Sequence, residues 1–379
     1  MIAFNLVGTK KNSGTKTFNI NFLKEISRLK NDENIVVYVP KFYLDDQKLE
    51  FPENTKIIIK SNLLKNFLIR FIWMHFFLPV ELKVKKIKVL FSSSNYSPLF
   101  LNFLNIKSVL FVHTVLPWLH FDLIPGYRIK NFFIKKIMQI SIQNAKYIIV
   151  PSNYAKDSLI KKLKIVPEKI NVINLGADHV FELKEYKDEI ANFNYSQKYI
   201  LSVISCVKYH NILNLLKSYK DFINEKNSEI KFVLVLTILD KEYFKTLKNF
   251  VKNNFDKNQV IILPNLEKKY LSNIYRNSLL YIFTSYSETF GITLLEAMNF
   301  DLPLLLSKTQ SFEEINGNIP EYFDPDNVND IKNKLIKIVD FETNNSQVKL
   351  DKNITQQHLK NYLWKNTVQK TYEVLKKIN

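Results

Sequence analysis

Short apolar runs alternate with amphipathic helical segments along almost the whole chain, and this alternation constrains the fold more than any other feature. The runs predict buried strands, and stripes such as Phe18, Phe22 and Ile26 predict helices packed on a sheet. Strands that alternate with helices indicate parallel sheets built from βαβ units. The predicted strands span residues 2–7, 35–39, 57–59, 87–91, 109–112, 147–150 and 172–173, then 199–204, 232–236, 260–263, 280–283 and 304–306.

A charged and polar stretch at residues 181–197 separates the two series of strands and predicts a domain boundary. The length of 379 residues also exceeds what one hydrophobic core usually serves. We therefore predict an α/β protein with two Rossmann-like, doubly wound domains and a cleft between them. The first domain is expected to span residues 1–185 and the second 186–360, with a last helix at 361–379 crossing back onto the first.

Positive charge is concentrated in the first half of the chain. The net charge is +18, and residues 1–180 carry 27 Lys and Arg against 12 Asp and Glu. Such a surface would attract nucleic acid, anionic lipid or a phosphorylated substrate. Because only four of the 54 basic residues are Arg, reading of nucleic-acid bases is disfavoured. The single Cys206 fits a reducing compartment, and the N-terminal residues read as a core strand rather than a signal peptide.

Glycine is scarce, so each of the six glycines is expected to mark a position that a side chain would spoil. Gly14 lies in a loop between the first predicted strand and its helix. Gly291 lies in residues 284–298, TSYSETFGITLLEAM, where a strand, a polar loop and a helix start follow one another. The backbone N–H groups of such a helix start can bind an anion. Glu288 and Glu296 flank Gly291, so both could face one bound ligand. Gly126 and Gly317 are read equally well as ordinary turn glycines.

Two apolar segments with nearby lysines, residues 67–80 and 127–140, allow two interpretations. Residues 67–80 are too few to span a membrane and are interrupted by Arg70 and His75. We favour a buried helix of the first domain, with a helix lying in a membrane interface as the alternative.

His113 ends a predicted strand, where polar side chains face the ligand side of a parallel sheet. A hydrogen-bonded core histidine is the alternative interpretation. Two acidic pairs, at residues 45–46 and 324–326, are read as surface turns rather than as metal sites, and no Cys/His spacing indicates zinc.

Residues 288–298, ETFGITLLEAM, resemble the E-x7-E motif of glycosyltransferase family 4, whose members are retaining enzymes with the GT-B fold. Further segments are similar to the family in the same order: residues 151–159 (PSNYAKDSL), 170–178 (INVINLGAD), 199–219 (YILSVISCVKYHNILNLLKSY), 311–327 (SFEEINGNIPEYFDPDN) and the helix that contains Trp364. The resemblance covers most of the chain.

The resemblance implies roles for individual residues. Glu296 would accept hydrogen bonds from the ribose hydroxyls of a UDP- or GDP-linked sugar. Glu288 would contact the sugar near the reacting carbon, and His113 would lie near the same sugar. Gly14 would approach the leaving phosphate. The backbone that would line the sugar and pyrophosphate belongs to Phe290, Gly291, Ile292 and Thr293.

The resemblance also implies a reaction that needs no cofactor and no metal. Retention would follow either from same-face substitution or from double displacement through Glu288. The family usually has Arg and Lys after the first strand of the second domain, where this chain has Ser205 and His210 with Lys208 close by. Lys208 or His210 would then neutralise the phosphate charge. Thr293 replaces a proline common in the family.

We therefore expect a transferase that adds a sugar to a growing, lipid-linked cell-surface polysaccharide such as lipopolysaccharide or capsule. The basic first domain would rest on the cytoplasmic face of an anionic membrane. A non-catalytic nucleotide-sugar-binding protein is the alternative, because the Arg/Lys pair is missing. Nucleic acid is not expected as a partner, since charge alone supports that interpretation.

Overall fold

The computed structural model describes residues 1–7, 14–29, 33–44, 50–180, 189–190, 193–344 and 350–378. Contacts divide the chain into two compact units. Unit 1 comprises Met1–Trp118, Tyr127–Gly176 and Leu363–Asn379, and unit 2 comprises Leu119–Gly126 and Ala177–Tyr362. The predicted boundary between residues 185 and 186 lies outside the described residues.

Strands β1–β7 belong to unit 1 and β8–β13 to unit 2. In chain order they are β1 (Ile2–Asn5), β2 (Ile35–Pro40), β3 (Thr55–Lys60), β4 (Val89–Ser92), β5 (Lys107–Phe111), β6 (Tyr147–Val150), β7 (Ile170–Val172), β8 (Tyr199–Cys206), β9 (Lys231–Ile238), β10 (Val260–Pro264), β11 (Leu280–Phe283), β12 (Leu304–Ser307) and β13 (Glu321–Phe323). Of these, β13 was not predicted, because its three residues begin with a glutamate and give no apolar run.

Helices α1–α11 lie between strands, as the alternating pattern predicts, and α12–α14 follow the last strand. They are α1 (Gly14–Arg28), α2 (Phe67–Ile72), α3 (Leu78–Val84), α4 (Leu116–Leu119), α5 (Arg128–Asn144), α6 (Asn153–Leu163), α7 (Ile212–Lys226), α8 (Lys241–Asn254), α9 (Leu271–Arg276), α10 (Ile292–Asn299), α11 (Gln310–Asn316), α12 (Val328–Asn344), α13 (Lys352–Leu359) and α14 (Trp364–Lys376). A π-helical turn, Trp73–Phe77, joins α2 to α3, and a 3₁₀ turn, Lys208–His210, follows β8.

Both sheets are doubly wound. Among the described residues the unit 1 sheet has the strand order β3-β2-β1-β4-β5-β6-β7 and the unit 2 sheet has β10-β9-β8-β11-β12-β13. The paired strands are parallel. The winding direction reverses between β1 and β4 in unit 1 and between β8 and β11 in unit 2. Such reversals open a crevice at the carboxyl ends of the strands. The predicted α/β fold is therefore confirmed.

Successive side chains of unit 1 strands pack on opposite faces of the sheet. Phe4 contacts the rings of Phe22 and Phe91 at centroid distances of 5.8 and 5.6 Å, on the face covered by α1. Ala3 belongs instead to the cluster that contains Trp73 and Leu78. The carboxyl-terminal helix α14 belongs to unit 1, as predicted. Its residue Trp364 lies 5.8 Å from the Phe18 ring, and its Thr367 hydroxyl donates to the Asn174 carbonyl at 2.8 Å.

The interpretation of residues 67–80 as a buried helix is wrong. None of the α2 residues is buried, and the side chains of Leu68, Phe76 and Phe77 are 60–62% exposed. Only one side of the segment, which includes Trp73 and Met74, packs on the sheet. The sequence hides this difference, because its two polar residues do not mark the outer side: His75 is buried and Arg70 is half-buried. Among the described residues, no helix combines the length and hydrophobicity that crossing a membrane requires.

Replacing Gly176 with Ala is expected to destabilise unit 1 by about 1–3 kcal/mol, as overpacking does. A Cβ at Gly176 would lie 2.5 Å from Trp364 Cγ and 2.6 Å from Trp364 Cα, and the backbone of α14 leaves little room to yield. Gly14→Ala is the matched control, since no atom lies within 4 Å of its Cβ position. Urea unfolding followed by tryptophan fluorescence measures both variants, and equal stabilities would contradict the packing argument.

Candidate active site

The loop that follows β11 is tied to the turn that follows β8. The Thr284 hydroxyl donates to the His210 carbonyl at 2.7 Å, and the Tyr286 N–H donates to the Tyr209 carbonyl at 2.9 Å. On the other side, the Ser285 N–H donates to the Ser307 hydroxyl at the end of β12 at 2.9 Å. These bonds join the carboxyl ends of three neighbouring strands where the winding of unit 2 reverses. This is the place where doubly wound sheets bind ligands.

Gly291 begins helix α10 in a conformation that suits glycine. Its φ is +82° and its ψ is 59°, in the left-handed region. A Cβ there would also lie 2.8 Å from Leu294 Cδ1 and 3.1 Å from Phe312 Cε1. At Gly291, therefore, no side chain covers the backbone next to the first N–H groups of α10, which are those of Ile292 and Thr293. Such N–H groups have no acceptor within the helix and suit an anion.

The side chains around Gly291 are structural anchors. Phe290 is buried, and its ring lies 5.7 Å from the Tyr362 ring in an edge-to-face contact. The Thr293 side chain is hydrogen-bonded to the hydroxyl of Tyr281, which itself donates to the Val203 carbonyl at 3.0 Å. Phe290 and Thr293 can therefore offer mainly backbone groups to a ligand, which agrees with the backbone role expected for them.

Glu288 forms a pair with His210. Glu288 Oε1 lies 2.9 Å from His210 Nε2, and His210 Nδ1 lies 2.7 Å from the Ser205 carbonyl. The carbonyl can only accept, so Nδ1 carries a proton. His210 is buried, whereas the Glu288 side chain is 23% exposed. The histidine therefore holds the carboxylate in place and leaves part of it open to a ligand.

Lys208 is an accessible cation close in sequence to this pair. It lies in the same 3₁₀ turn as His210, and its side chain is exposed. Because His210 is bonded to Glu288, the positive charge of a protonated ring would be balanced within the pair. Ser205, at the position where the family usually has Arg, contributes its carbonyl to His210.

Glu296 is buried within α10 and is held by two donors. Its Oε1 lies 3.1 Å from His179 Nε2, and its Oε2 accepts from the Tyr275 hydroxyl at 3.0 Å. Burial alone would raise the pKa of this carboxyl, but the hydrogen bond and charge of His179, the charge of Lys268 and the Tyr275 hydroxyl together lower it. The pKa of Tyr275 is raised well above its usual value by burial and by the neighbouring carboxylate. The arrangement keeps Glu296 ionised, and each oxygen retains further accepting capacity.

Sequence reasoning did not identify His179 and Tyr275. His179 lies 117 positions before Glu296, and Tyr275 lies 21 positions before it, outside any motif spacing. The only signal in the sequence was indirect: a glutamate within an apolar helix must find donors if it is buried.

The two unit 1 residues predicted for the site lie at the carboxyl side of its strands. The His113 N–H donates to Asn95 Oδ1 at 2.6 Å, and His113 Nε2 donates to the Ser93 carbonyl at 2.8 Å. Burial lowers the pKa of His113 to about 4, although the bond to Ser93 partly opposes this shift. The ring is therefore neutral at pH 7 and protonated on Nε2. Gly14 is the first residue of α1, with open space at its Cβ position.

The acidic pairs give no sign of a metal site. Asp324 Oδ1 accepts from the Asp326 N–H at 2.9 Å in an exposed turn, whereas residues 45–46 lie outside the described residues. In the part of the chain that the structure describes, no three His, Cys, Asp or Glu side chains are placed to hold a metal ion. Independence from metals remains a prediction.

Two family models match the chain in succession. The model described as Glycosyltransferase Family 4 matches residues 13–181, and the model described as Glycosyl transferases group 1 matches residues 184–357. Together they cover about nine-tenths of the sequence. The protein therefore belongs to the family 4-like glycosyltransferases of the GT-B fold.

Individual relatives and solved structures agree with this assignment. The O-antigen chain mannosyltransferase RfbU of Salmonella typhimurium is 23% identical over 323 residues, 84% of each chain. The serotype-specific mannosyltransferase WbdA of Escherichia coli is 24% identical over 61% of this chain and 29% of its own length. Anabaena Alr3699/HepE, solved with UDP and glucose, has the same fold with a TM-score of 0.72, 13% identity and 99% coverage of both chains. A glycosyltransferase from Rickettsia africae has a TM-score of 0.69 and 18% identity, and the match covers 100% of this chain and 98% of the Rickettsia chain.

The lowered pKa of Glu296 predicts a specific dependence of stability on pH. A carboxyl whose pKa is lower in the folded state stabilises the fold above its unfolded pKa of about 4.3, and this contribution is lost as the pH falls through the folded value. Glu296→Gln is therefore expected to lower the free energy of unfolding at pH 7 by about 1.5–3 kcal/mol, the worth of hydrogen bonds to a charged group. This deficit should shrink below about pH 4.

Urea unfolding followed by circular dichroism between pH 3 and pH 7 measures this dependence. Glu313→Gln, which changes an exposed glutamate of α11, serves as the control and should follow the wild type throughout. A deficit that stays constant with pH would show that Glu296 does not contribute through its ionisation.

Proposed function

We propose that this protein is a retaining hexosyltransferase that moves a sugar, with mannose the first candidate, from a nucleotide-diphosphate donor to a growing polysaccharide. The observation that carries the proposal is the arrangement around α10. Residues 288–296 lie where the winding of unit 2 reverses. They contain the partly exposed carboxylate of Glu288, the start of α10 beside Gly291, and the buried, ionised carboxylate of Glu296. Membership in the family supports transfer of a glycosyl group. The names of the mannosyltransferase relatives RfbU and WbdA support mannose and a cell-surface acceptor such as O-antigen.

The donor is proposed to bind to unit 2. Glu296 would accept hydrogen bonds from the ribose hydroxyls, because His179 and Tyr275 keep it ionised and leave accepting capacity on both oxygens. The pyrophosphate would lie against the N–H groups at the start of α10, next to Gly291. Lys208 is the proposed side-chain cation for the phosphates, since it is exposed and belongs to the turn that is hydrogen-bonded to the loop before α10. UDP and GDP are both compatible with these contacts.

The reaction breaks the bond between the anomeric carbon and the leaving phosphate oxygen, which keeps the electron pair. An acceptor hydroxyl oxygen forms the new bond to that carbon, and its proton passes to the leaving phosphate in same-face substitution. Glu288 would stabilise the positive charge that develops on the sugar, and His210 would keep it oriented. In double displacement, Glu288 would instead form the first bond to the sugar. His113, being neutral, would act as a hydrogen-bonding group toward the substrate rather than as a cation.

The acceptor is proposed to bind to unit 1 and to be carried on a lipid at the cytoplasmic face of a membrane. The support is the charge of the first 180 residues, where 27 Lys and Arg stand against 12 Asp and Glu. Each lysine near an anionic surface contributes roughly 1 kcal/mol of attraction. Neither a cofactor nor a metal ion has a role in this proposal, because helix N–H groups and lysine provide the positive charge for the leaving group.

Glu296→Gln is expected to weaken nucleotide-sugar binding by about 10- to 100-fold, which corresponds to the loss of one or two hydrogen bonds to a charged group. Calorimetry with a panel of UDP- and GDP-linked hexoses, GDP-mannose first, measures the change and names the donor. Glu313→Gln serves again as the matched control. Wild-type affinity in the Glu296 variant would remove this residue from the donor site.

Glu288→Gln is expected to reduce kcat by about 100- to 1000-fold while donor affinity changes little, because the charge of Glu288 acts mainly as positive charge develops. Transfer to a polysaccharide acceptor is measured with radiolabelled donor, and NMR of the product reports the anomeric configuration. An inverted product would overturn the retaining assignment.

A non-catalytic nucleotide-sugar-binding protein is the second candidate, favoured by the absence of the usual Arg/Lys pair and by the bond that occupies His210. Wild-type protein that binds a donor tightly but neither transfers nor hydrolyses the sugar would establish that alternative.

A further inference from the structure

Large exposed apolar side chains are concentrated in one part of unit 1. Between residues 59 and 84 they are Ile59, Leu63, Leu68, Ile69, Ile72, Phe76, Phe77, Val80 and Val84, with exposures of 41–75%. Between residues 100 and 140 they are Phe100, Phe103, Tyr127, Ile129, Phe132, Phe133 and Ile140, with exposures of 41–85%. Soluble proteins rarely expose apolar side chains at such density without a partner for them.

The exposed side chains of α2, the π-helical turn and α3 belong to a segment that is packed on the core of unit 1. Trp73, Met74, Leu78 and Leu82 anchor the segment in the hydrophobic cluster of unit 1. A π-helical turn inserts an extra residue into the helix, and here the adjacent Phe76 and Phe77 are both 60% exposed. The outward apolar side is therefore a fixed feature of the fold rather than a frayed end.

A direct contact connects α5 to α2. Lys130 Nζ, near the start of α5, lies 4.8 Å from the centre of the Phe67 ring at the start of α2. In α5 itself, Lys136 Nζ lies 5.7 Å from the Phe132 ring. In both contacts a lysine of α5 lies beside an aromatic ring, the half-buried Phe67 or the exposed Phe132. We call the exposed side of α2, the π-helical turn, α3 and the first half of α5 the apolar-basic face.

The charge of this region is almost entirely positive. Residues 54–156 contain fifteen Lys and Arg and only two acidic residues, Glu81 and Asp122. Glu81 is already paired: its carboxylate lies 2.7 Å from Lys60 Nζ and accepts a hydrogen bond from Trp73 Nε1 at 3.3 Å. A partner for this face must therefore accept both apolar side chains and a large excess of positive charge.

We propose that the apolar-basic face docks on an anionic phospholipid bilayer, with its aromatic and aliphatic side chains at the level of the headgroups. A helix with lysines beside exposed Phe, Ile and Leu is the type that lies in a bilayer interface. A second copy of this chain fits less well, because a symmetric contact would bring two positive faces together. Nucleic acid would satisfy the charge but not the apolar side chains. The inference rests on the proposed function for its purpose, access to a lipid-carried acceptor, but its test needs no sugar transfer.

Flotation with vesicles tests the proposal. Wild-type protein is mixed with vesicles of phosphatidylcholine alone or with 30% phosphatidylglycerol, at 0.1 and 0.5 M NaCl. The protein is expected to float with the anionic vesicles and to lose most of this binding at high salt. Phe76→Ser/Phe77→Ser should weaken the partition by at least about tenfold, from the apolar area lost. Lys83→Glu/Lys136→Glu should weaken it by at least about 25-fold, at roughly fivefold for each lysine.

The matched control is Val166→Ser/Ile354→Ser, which also removes two exposed apolar side chains, but at positions outside the face. It should float like the wild type. Far-UV circular dichroism and donor binding, measured in solution, should be the same for all variants. Loss of vesicle binding with intact donor binding then tests the membrane proposal alone, and loss of donor binding would instead concern the proposed function.

Three results would overturn the proposal. The first is wild-type protein that stays unbound with 30% phosphatidylglycerol. The second is equal loss of binding in the control and face variants. The third is a dimer in sedimentation velocity that Phe76→Ser/Phe77→Ser dissociates, which would assign the face to a second copy of the chain.

Discussion

A carboxylate can be buried only where donors surround it, and Glu296 imposes this requirement on much of unit 2. Its two donors come from different parts of the chain: His179 from the stretch that enters unit 2, and Tyr275 from α9. Tyr275 is in turn stacked on Phe300 at 5.3 Å, just beyond the end of α10. One ionised group therefore fixes the positions of the entering chain, α9 and α10 together. The rigid start of α10 beside Gly291, on which a donor would lie, depends on that bonding.

The strands and the E-x7-E helix were accessible from the sequence because both are local patterns. Apolar runs located twelve of the thirteen described strands, and glycine scarcity pointed to Gly291 before any contact was known. The hydrogen bonds of Glu296 were not accessible, because their spacing follows from tertiary packing alone. For residues 67–84 the sequence indicated a local segment but not which of its sides is buried. Large apolar side chains occur on both sides, so the sequence could not separate the Trp73 side, which is buried, from the Phe76 and Phe77 side, which is exposed.

The departure from the family at Ser205 and His210 has a structural counterpart. A lysine in place of His210 would bring a full positive charge to Glu288, whereas the histidine brings a ring whose Nε2 lies 2.9 Å from the carboxylate. Two tasks that one cation could perform, orienting Glu288 and meeting an anion, therefore fall to two different residues. His210 orients Glu288 from a buried position, and the exposed Lys208 remains available to an anion. The exposed Lys208 and the N–H groups at the start of α10 therefore both contribute positive potential at this edge of the sheet.

The chain has few glycines, and asparagine takes the left-handed conformation at several of its turns. Among the described residues, asparagine fills left-handed positions at Asn105, Asn211, Asn227, Asn258 and Asn265. Glycine is retained where asparagine would fail: at Gly126 and Gly317 for their dihedral angles, and at Gly176 and Gly291 for lack of space. Gly14 alone among the described glycines meets neither condition, since its Cβ position is open and its φ is ordinary. The packing of the described residues therefore places no requirement on Gly14, whereas at Gly176 the missing side chain lets two segments far apart in the sequence meet backbone to backbone.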